Sequence, residues 1–288
     1  MNKKTAVSAA LWLIAFVVTV VLAVFQRTTG PSYPLRGTIA VPGAVIEHRL
    51  PRSHGGPGGL EVGLEVPPSV SDARLEWRRF PTDDSWSSIP MRRSDGSRVV
   101  AEVPHQPPAG KVEYRLVLST AAGDVTVPTG DAVVARFRDS VPAWVLIPHI
   151  LAMFASMLVA TRVLLEAFRP SVPAPRRSIL VAMVLLVIGG LFLGPTVQKF
   201  AFGEYWTGWP FGHDLTDNKT LLAVLAWLPA TLLALAGKRT RIAVVVGWVV
   251  MMGVFLIPHS LRGSERDWSE NTIKTGRAVV VETADSPT

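Results

Sequence analysis

Cysteine is absent from the 288-residue chain. That absence excludes disulfides, iron–sulfur clusters, covalently attached c-type haem, thiolate zinc sites, blue copper and a cysteine nucleophile. Any metal or haem has to be held by His, Asp, Glu, Met or carbonyl oxygen. Charge is also scarce: 18% of residues are charged and 49% hydrophobic, where a soluble domain carries roughly 25% charge. Recognised catalytic motifs are missing too. There is no His-Glu-x-x-His, Ser260 beside His259 lies in no Gly-x-Ser-x-Gly elbow, and Gly55–Gly59 lacks the Lys-Ser/Thr ending of a phosphate loop.

What the chain does have is apolar residues gathered into runs of about 17 to 21. A bilayer takes roughly 20 residues of helix to cross. The runs predict five transmembrane helices, over Thr5–Phe25, Val141–Phe168, Ser178–Val197, Lys219–Ala236 and Ile242–Pro258. The first follows Lys3 and Lys4, exceeds the ~7–15-residue apolar core of a signal peptide, and reads as an uncleaved anchor. The formal net charge of +7 does not mark a nucleic-acid binder. Lys3, Lys4, Arg162, Arg169, Arg176, Arg177, Lys238, Arg239 and Arg241 all fall at one set of helix ends, accompanied only by Glu166, and the rest of the chain is close to neutral. This is the positive-inside pattern. It predicts a cytoplasmic N-terminus and an exported C-terminus, and the preference for Arg over Lys, 22 against 7, points to a GC-rich bacterial genome and so to a bacterial inner membrane with the C-terminus periplasmic. Gly190 and Gly194 stand four apart on the third helix, a spacing that lets a neighbouring helix come close.

Between the first two helices, Pro and Gly punctuate short stretches of period-two alternation, such as Glu61–Val66 and Val112–Leu118. About seven strands over residues 27–140 resemble an immunoglobulin- or fibronectin-like sandwich at the level of fold, without the Cys-Trp-Cys signature. The expected organisation is an anchor over 1–26, an exported all-β domain over 27–140, a four-helix region over 141–260 with an aromatic outer loop at 198–218, and an exported tail over 261–288.

Chemistry-bearing residues concentrate at the outer ends of the helices. Leu-Ile-Pro-His occurs twice, ending in His149 and in His259. His149 lies about 10 Å along the second helix from Pro142. An imidazole at that depth faces the bundle interior and is a ligand or hydrogen-bond partner in its neutral form. Its structural role would be to satisfy a carbonyl freed by the adjacent proline. The loop before the fourth helix holds six aromatic residues between Phe200 and Phe211, then His213, Asp214 and Asp217. It reads as an interfacial aromatic belt or as a cover over a cavity, and Asp217 or Asn218 reads as the N-cap of the fourth helix. With Glu204, these residues put three His and three acids on one face. That donor set would suit a divalent metal, or a b-type haem between two axial His.

Two functions follow as expectations. The first is a non-enzymatic membrane component, embedded in lipid, whose β domain binds protein partners in the membrane or periplasm. The second is a metal- or haem-bearing protein in electron transfer or metal-dependent chemistry, using His149, His259 and possibly His213 as ligands, with Asp214, Asp217 and Glu204 beside them.

Overall fold

The computed structural model describes residues 3–94, 96–169, 175–258, 263, 265–270 and 272–274. Four helical stretches are long and apolar enough to cross a membrane. They are α1 (Lys3–Thr29), α2 (Ala143–Ala167), the continuous rod Arg176–Phe202 and α5 (Leu215–Leu235); α6 (Arg241–Leu256) is apolar but shorter, at 16 residues. A β-rich region lies between α1 and α2.

The third rod extends five residues past the sequence expectation. It consists of α3 (Arg176–Val187), a π-helical stretch Ile188–Leu193 and α4 (Gly194–Phe202). Pro195 lies inside this rod, two residues past the π-helical stretch. The helix ends at Gly203, whose φ of 89° is left-handed and whose N–H bonds to the Lys199 carbonyl at 2.9 Å. The fourth predicted helix also starts earlier, at Leu215. Asp214 is its N-cap, accepting from Thr216 N at 2.7 Å, and Asp217 sits in its first turn.

Polar side chains cross-link the helices. Trp227 Nε1 donates to the Ile179 carbonyl of α3 (3.1 Å), and Trp248 Nε1 donates to Thr161 Oγ1 of α2 (3.0 Å). Lys219 Nζ donates to the Ile257 carbonyl at 2.6 Å, putting a cation at the C-terminal end of α6. Gln26 Nε2 reaches the Phe255 carbonyl at 2.7 Å. These last two bonds level the end of α1, the start of α5 and the end of α6. Far from the β domain, Arg162 pairs with Glu166 one turn on, at 2.5 Å. The pair is enclosed, with the guanidinium 5.5 Å from the Trp12 ring of α1, rather than extended toward the surface.

The β region holds all seven predicted strands: β1 (Leu35–Val41), β2 (Ala44–Leu50), β4 (Leu60–Glu65), β5 (Val70–Phe80), β8 (Arg98–Val103), β9 (Lys111–Thr120) and β11 (Val133–Arg138). Four shorter ones join them: β3 (Ser53–Gly55), β6 (Ser87–Pro90), β7 (Arg92–Arg93) and β10 (Gly123–Val127). One sheet runs β3-β11-β9-β5-β6 with β10 also on β9, a second runs β4-β8-β7, and β1-β2 is a hairpin. All contribute to one core, in which Leu50, Val62, Leu75, Val103, Tyr114, Leu116 and Phe137 have essentially no exposure. Alternation does this. Along β9, Val112, Tyr114 and Leu116 face the core while Glu113 and Arg115 face away.

Tyr114 buries its ring and donates its hydroxyl to the Pro51 carbonyl at 2.8 Å. Burial pushes its phenol well up from the usual value, against a small opposing effect of Arg52. The folded state therefore holds this proton more tightly than the unfolded chain. The stabilisation is complete below the ordinary phenol value of about 10 and is lost as pH rises above it. Tyr114→Phe is expected to remove the lost bond, about 1 kcal/mol, together with part of the alkaline sensitivity. Denaturant unfolding at pH 7 and above pH 10 measures both.

A short C-terminal hairpin, β12 (Glu265–Asp267) and β13 (Thr272–Lys274), returns to the β region. Arg266 N donates to the Ala109 carbonyl (3.2 Å), Trp268 Nε1 donates to the Phe80 carbonyl (3.2 Å), and Glu265 pairs with Lys111. Arg79 stacks 5.0 Å from the Trp268 ring.

Candidate functional site

The base of the β region meets the helices through β11. Asp139 N donates to the Ala201 carbonyl at 3.0 Å, and the Arg136 guanidinium lies 4.1 Å from the Phe202 ring centre. On β11, Ala135 and Phe137 point into the core, so alternation turns Arg136 and Arg138 outward to the helix ends. Burial pushes Arg136 down to about 10, with Asp214 and Glu265 acting in the opposite direction, so it remains a cation at neutral pH.

Below it is a cavity of about 250 Å³, lined by Arg136, Arg138, His149, Gln198, Asp214, Asp217 and Thr220, among others. The acids are tied to the loop. Asp217 Oδ2 accepts from Thr207 N (2.7 Å), Gly208 N (3.0 Å) and Thr207 Oγ1 (3.3 Å). Thr207 Oγ1 also lies 3.2 Å from Asp214 Oδ2 and accepts from Gln198 Nε2 at 2.7 Å. Asn218 Oδ1 accepts from Trp209 N at 2.6 Å. The two residues expected to cap the helix thus bind the loop, and Asp214 caps in their place.

His149 Nδ1 lies 2.8 Å from the Gly189 carbonyl. A carbonyl only accepts, so Nδ1 carries the proton and Nε2 keeps its lone pair. The partner is on the π-helical stretch of another helix, not the carbonyl freed by Pro148. The ring packs beside Gly194, where a Cβ would be in ordinary contact, 3.6 Å from His149 Cε1.

Of the six predicted site residues, the structure brings His149, Asp214 and Asp217 to one cavity. Glu204 and His213 are exposed on the loop, and His259 is outside the described residues. Among the described residues, no group of three His, Asp or Glu side chains is arranged to hold a metal ion. Of the loop aromatics, Tyr205, Trp209 and Phe211 are 59%, 66% and 75% exposed, so these rings do not cover the cavity. Sequence reasoning missed Arg136, Arg138, Gln198 and Thr207. The only local signal was two arginines on alternate positions of the last strand before a membrane helix.

Two further cavities adjoin this one. A groove of about 580 Å³ runs between α1, α2, α4 and α6 and shares Leu146, His149, Met153 and Val197 with it. A second, of about 260 Å³ at the base of the β region, shares Arg136, Arg138 and Phe202 with it and adds Arg52 and Lys111. No protein-family model matches the chain, and neither does any curated protein.

Proposed function

We propose that the protein is an integral component of a bacterial inner membrane that offers its β domain, on the periplasmic side, to a protein partner, without catalysis of its own. This reading counts α6 as a fifth crossing. At ~1.5 Å per residue, α6 covers about 24 Å, and the Lys219–Ile257 bond levels its end with the start of α5. The tail that follows returns to the β domain. The basic residues collect at the opposite end, which the positive-inside rule assigns to the cytoplasm. Two facing sheets over one core support an immunoglobulin- or fibronectin-like sandwich.

The observation that carries partner binding is the outward face of β5 and β9. Trp86 is held between the Arg78 and Arg115 guanidiniums, 4.8 and 4.5 Å from its ring. Arg78 pairs with Glu113 (2.5 Å) and Arg115 with Glu76 (2.8 Å); Arg74 bridges Glu76 (3.1 Å) and Asp124 (3.0 Å). Half-exposed pairs of this kind add little stability. They do fix long side chains in place before a partner arrives, which lowers the entropy cost of binding, and Trp and Arg are the residues that most often dominate interface energetics. The double variant Arg78→Gln/Arg115→Gln, which introduces no like charge opposite Glu113 or Glu76, is expected to lose its co-purifying partner about tenfold or more while staying in the membrane fraction with little change in unfolding. A partner retained at wild-type stoichiometry contradicts the reading.

A second reading draws on His149. With Nδ1–H held by a carbonyl, Nε2 is oriented as in metal-ligating histidines. A divalent metal or b-type haem held by His149, with His259 and His213 as further ligands, would give a Soret band or about one equivalent of metal that His149→Ala removes. A colourless, metal-free preparation from cells supplied with both ends that reading.

A further inference from the structure

The groove, the polar cavity and the basic cavity adjoin one another through shared lining residues, and their character changes from one to the next. In the groove the lining is mostly aliphatic and aromatic, including Ala23, Val24, Ile150, Phe154 and Phe255. Its volume, about 580 Å³, lies within the ~300–1,000 Å³ usual for ligand sites. It lies among helices long and apolar enough to cross a membrane, at their β-domain end, where Gly30 and Ser32 close it. Ser32 also lines the basic cavity, whose charged lining residues are Arg52, Lys111, Arg136 and Arg138, with no carboxylate. Glu265 neutralises Lys111, and Asp214 and Glu265 both attract Arg136. Among the described residues, no carboxylate lies within ion-pair distance of Arg52 or Arg138. The groove is thus a mostly apolar slot, with Arg27 among its lining residues, that adjoins Arg52 and Arg138, which form no ion pair among the described residues, while Asp214 and Asp217 line the polar cavity beside Arg138.

We infer that this system holds one anionic phospholipid of the surrounding leaflet, with an acyl chain in the groove between α1, α2 and α6 and the phosphate at Arg52 and Arg138. Guanidinium groups match phosphate with paired, charge-assisted bonds. His149 Nε2, at the boundary between groove and polar cavity, accepts from a headgroup or glycerol hydroxyl. The bound lipid fills the space between α1 and the rest of the bundle and ties the β domain to the membrane surface. The inference goes beyond the partner-binding reading and does not depend on it, because the lipid site and the Arg78–Trp86–Arg115 face are on different parts of the β domain.

The test is native mass spectrometry of the full chain, delipidated in detergent and titrated with phosphatidylglycerol or phosphatidylcholine of the same acyl length. One phosphatidylglycerol per chain is expected, bound about tenfold more tightly than phosphatidylcholine. Arg52→Gln/Arg138→Gln is expected to abolish that preference, whereas Arg52→Lys/Arg138→Lys keeps part of it. Val197→Trp, which fills the groove, is expected to weaken both lipids. Equal retention of the two lipids overturns the inference, as does indifference to the arginine pair or displacement of phosphatidylglycerol by millimolar inorganic phosphate. Unchanged thermal unfolding of the glutamine variant separates a lost site from a lost fold.

Discussion

Asp217→Ala is expected to release the loop between α4 and α5 and to cost on the order of 2–6 kcal/mol. The carboxylate is 5% exposed and accepts from two backbone N–H groups and one hydroxyl. Alanine removes this acceptor from the two N–H groups, while the hydroxyl still has Asp214 Oδ2 at 3.2 Å. The penalty for such orphaned groups is about 1–3 kcal/mol each, more than the net worth of the bonds themselves. Set against a total stability of roughly 5–15 kcal/mol, that is a large fraction. Gly208 leaves no room for compensation, since a Cβ there would lie 2.6 Å from Asp217 Cβ. Asp217→Asn keeps one acceptor oxygen in place and is expected to retain most of the loop. Chymotrypsin reads the difference: cleavage after Tyr205 or Phe211 is expected to accelerate strongly in Asp217→Ala and slightly in Asp217→Asn. Equal cleavage rates for all three proteins would mean that the loop is held by something other than this carboxylate.

The second large effect is expected at Gly190. A Cβ there would meet Thr220 Cγ2 at 2.6 Å, so the π-helical stretch and α5 approach closely only because this side chain is absent. Gly189 plays the same part toward α2, where a Cβ would lie 2.9 Å from Met153 Sδ. Small residues let helices in lipid gain the close packing that holds them together. Gly190→Leu is therefore expected to separate α5 from the third rod, at a cost of about 1–3 kcal/mol or more. Gly190 also lines the cavity shared by His149, Asp214 and Asp217, so the leucine side chain occupies part of it. Gly253 is the internal control. Nothing lies within 4 Å of a Cβ there, so Gly253→Leu is expected to be neutral or slightly stabilising. Thermal unfolding in detergent that ranks the two variants equally would contradict the packing argument.

Hydropathy made the helices legible because a bilayer demands about 20 apolar residues and the sequence pattern reports that directly. Where it failed, the deciding interaction was not local. The third helix runs five residues past the expected end at Val197 and stops at Gly203. Asp214, Asp217 and Asn218 are equally good caps in sequence, and only the folded loop decides that Asp214 caps while the other two hold Thr207, Gly208 and Trp209. The strands found from sequence are those long enough to alternate; β3, β6, β7 and β10 have two to five residues each and offer little periodicity. The site was half legible. His149, Asp214 and Asp217 stand out as polar residues beside membrane helices. Arg136 and Arg138 reach the same cavity through the docking of β11 onto the end of α4, which no local pattern encodes.

The absence of cysteine supplies the most direct test of the central claim, a membrane-embedded bundle with its β domain on the outer side. Any introduced cysteine is a unique label site. Ser87→Cys lies on exposed β6, and Ala236→Cys at the exposed turn between α5 and α6. In spheroplasts treated with a membrane-impermeant maleimide, Ser87→Cys is predicted to label fully and Ala236→Cys only after permeabilisation. Labelling of Ala236→Cys in intact spheroplasts, or protection of Ser87→Cys until lysis, would contradict the topology on which the account rests.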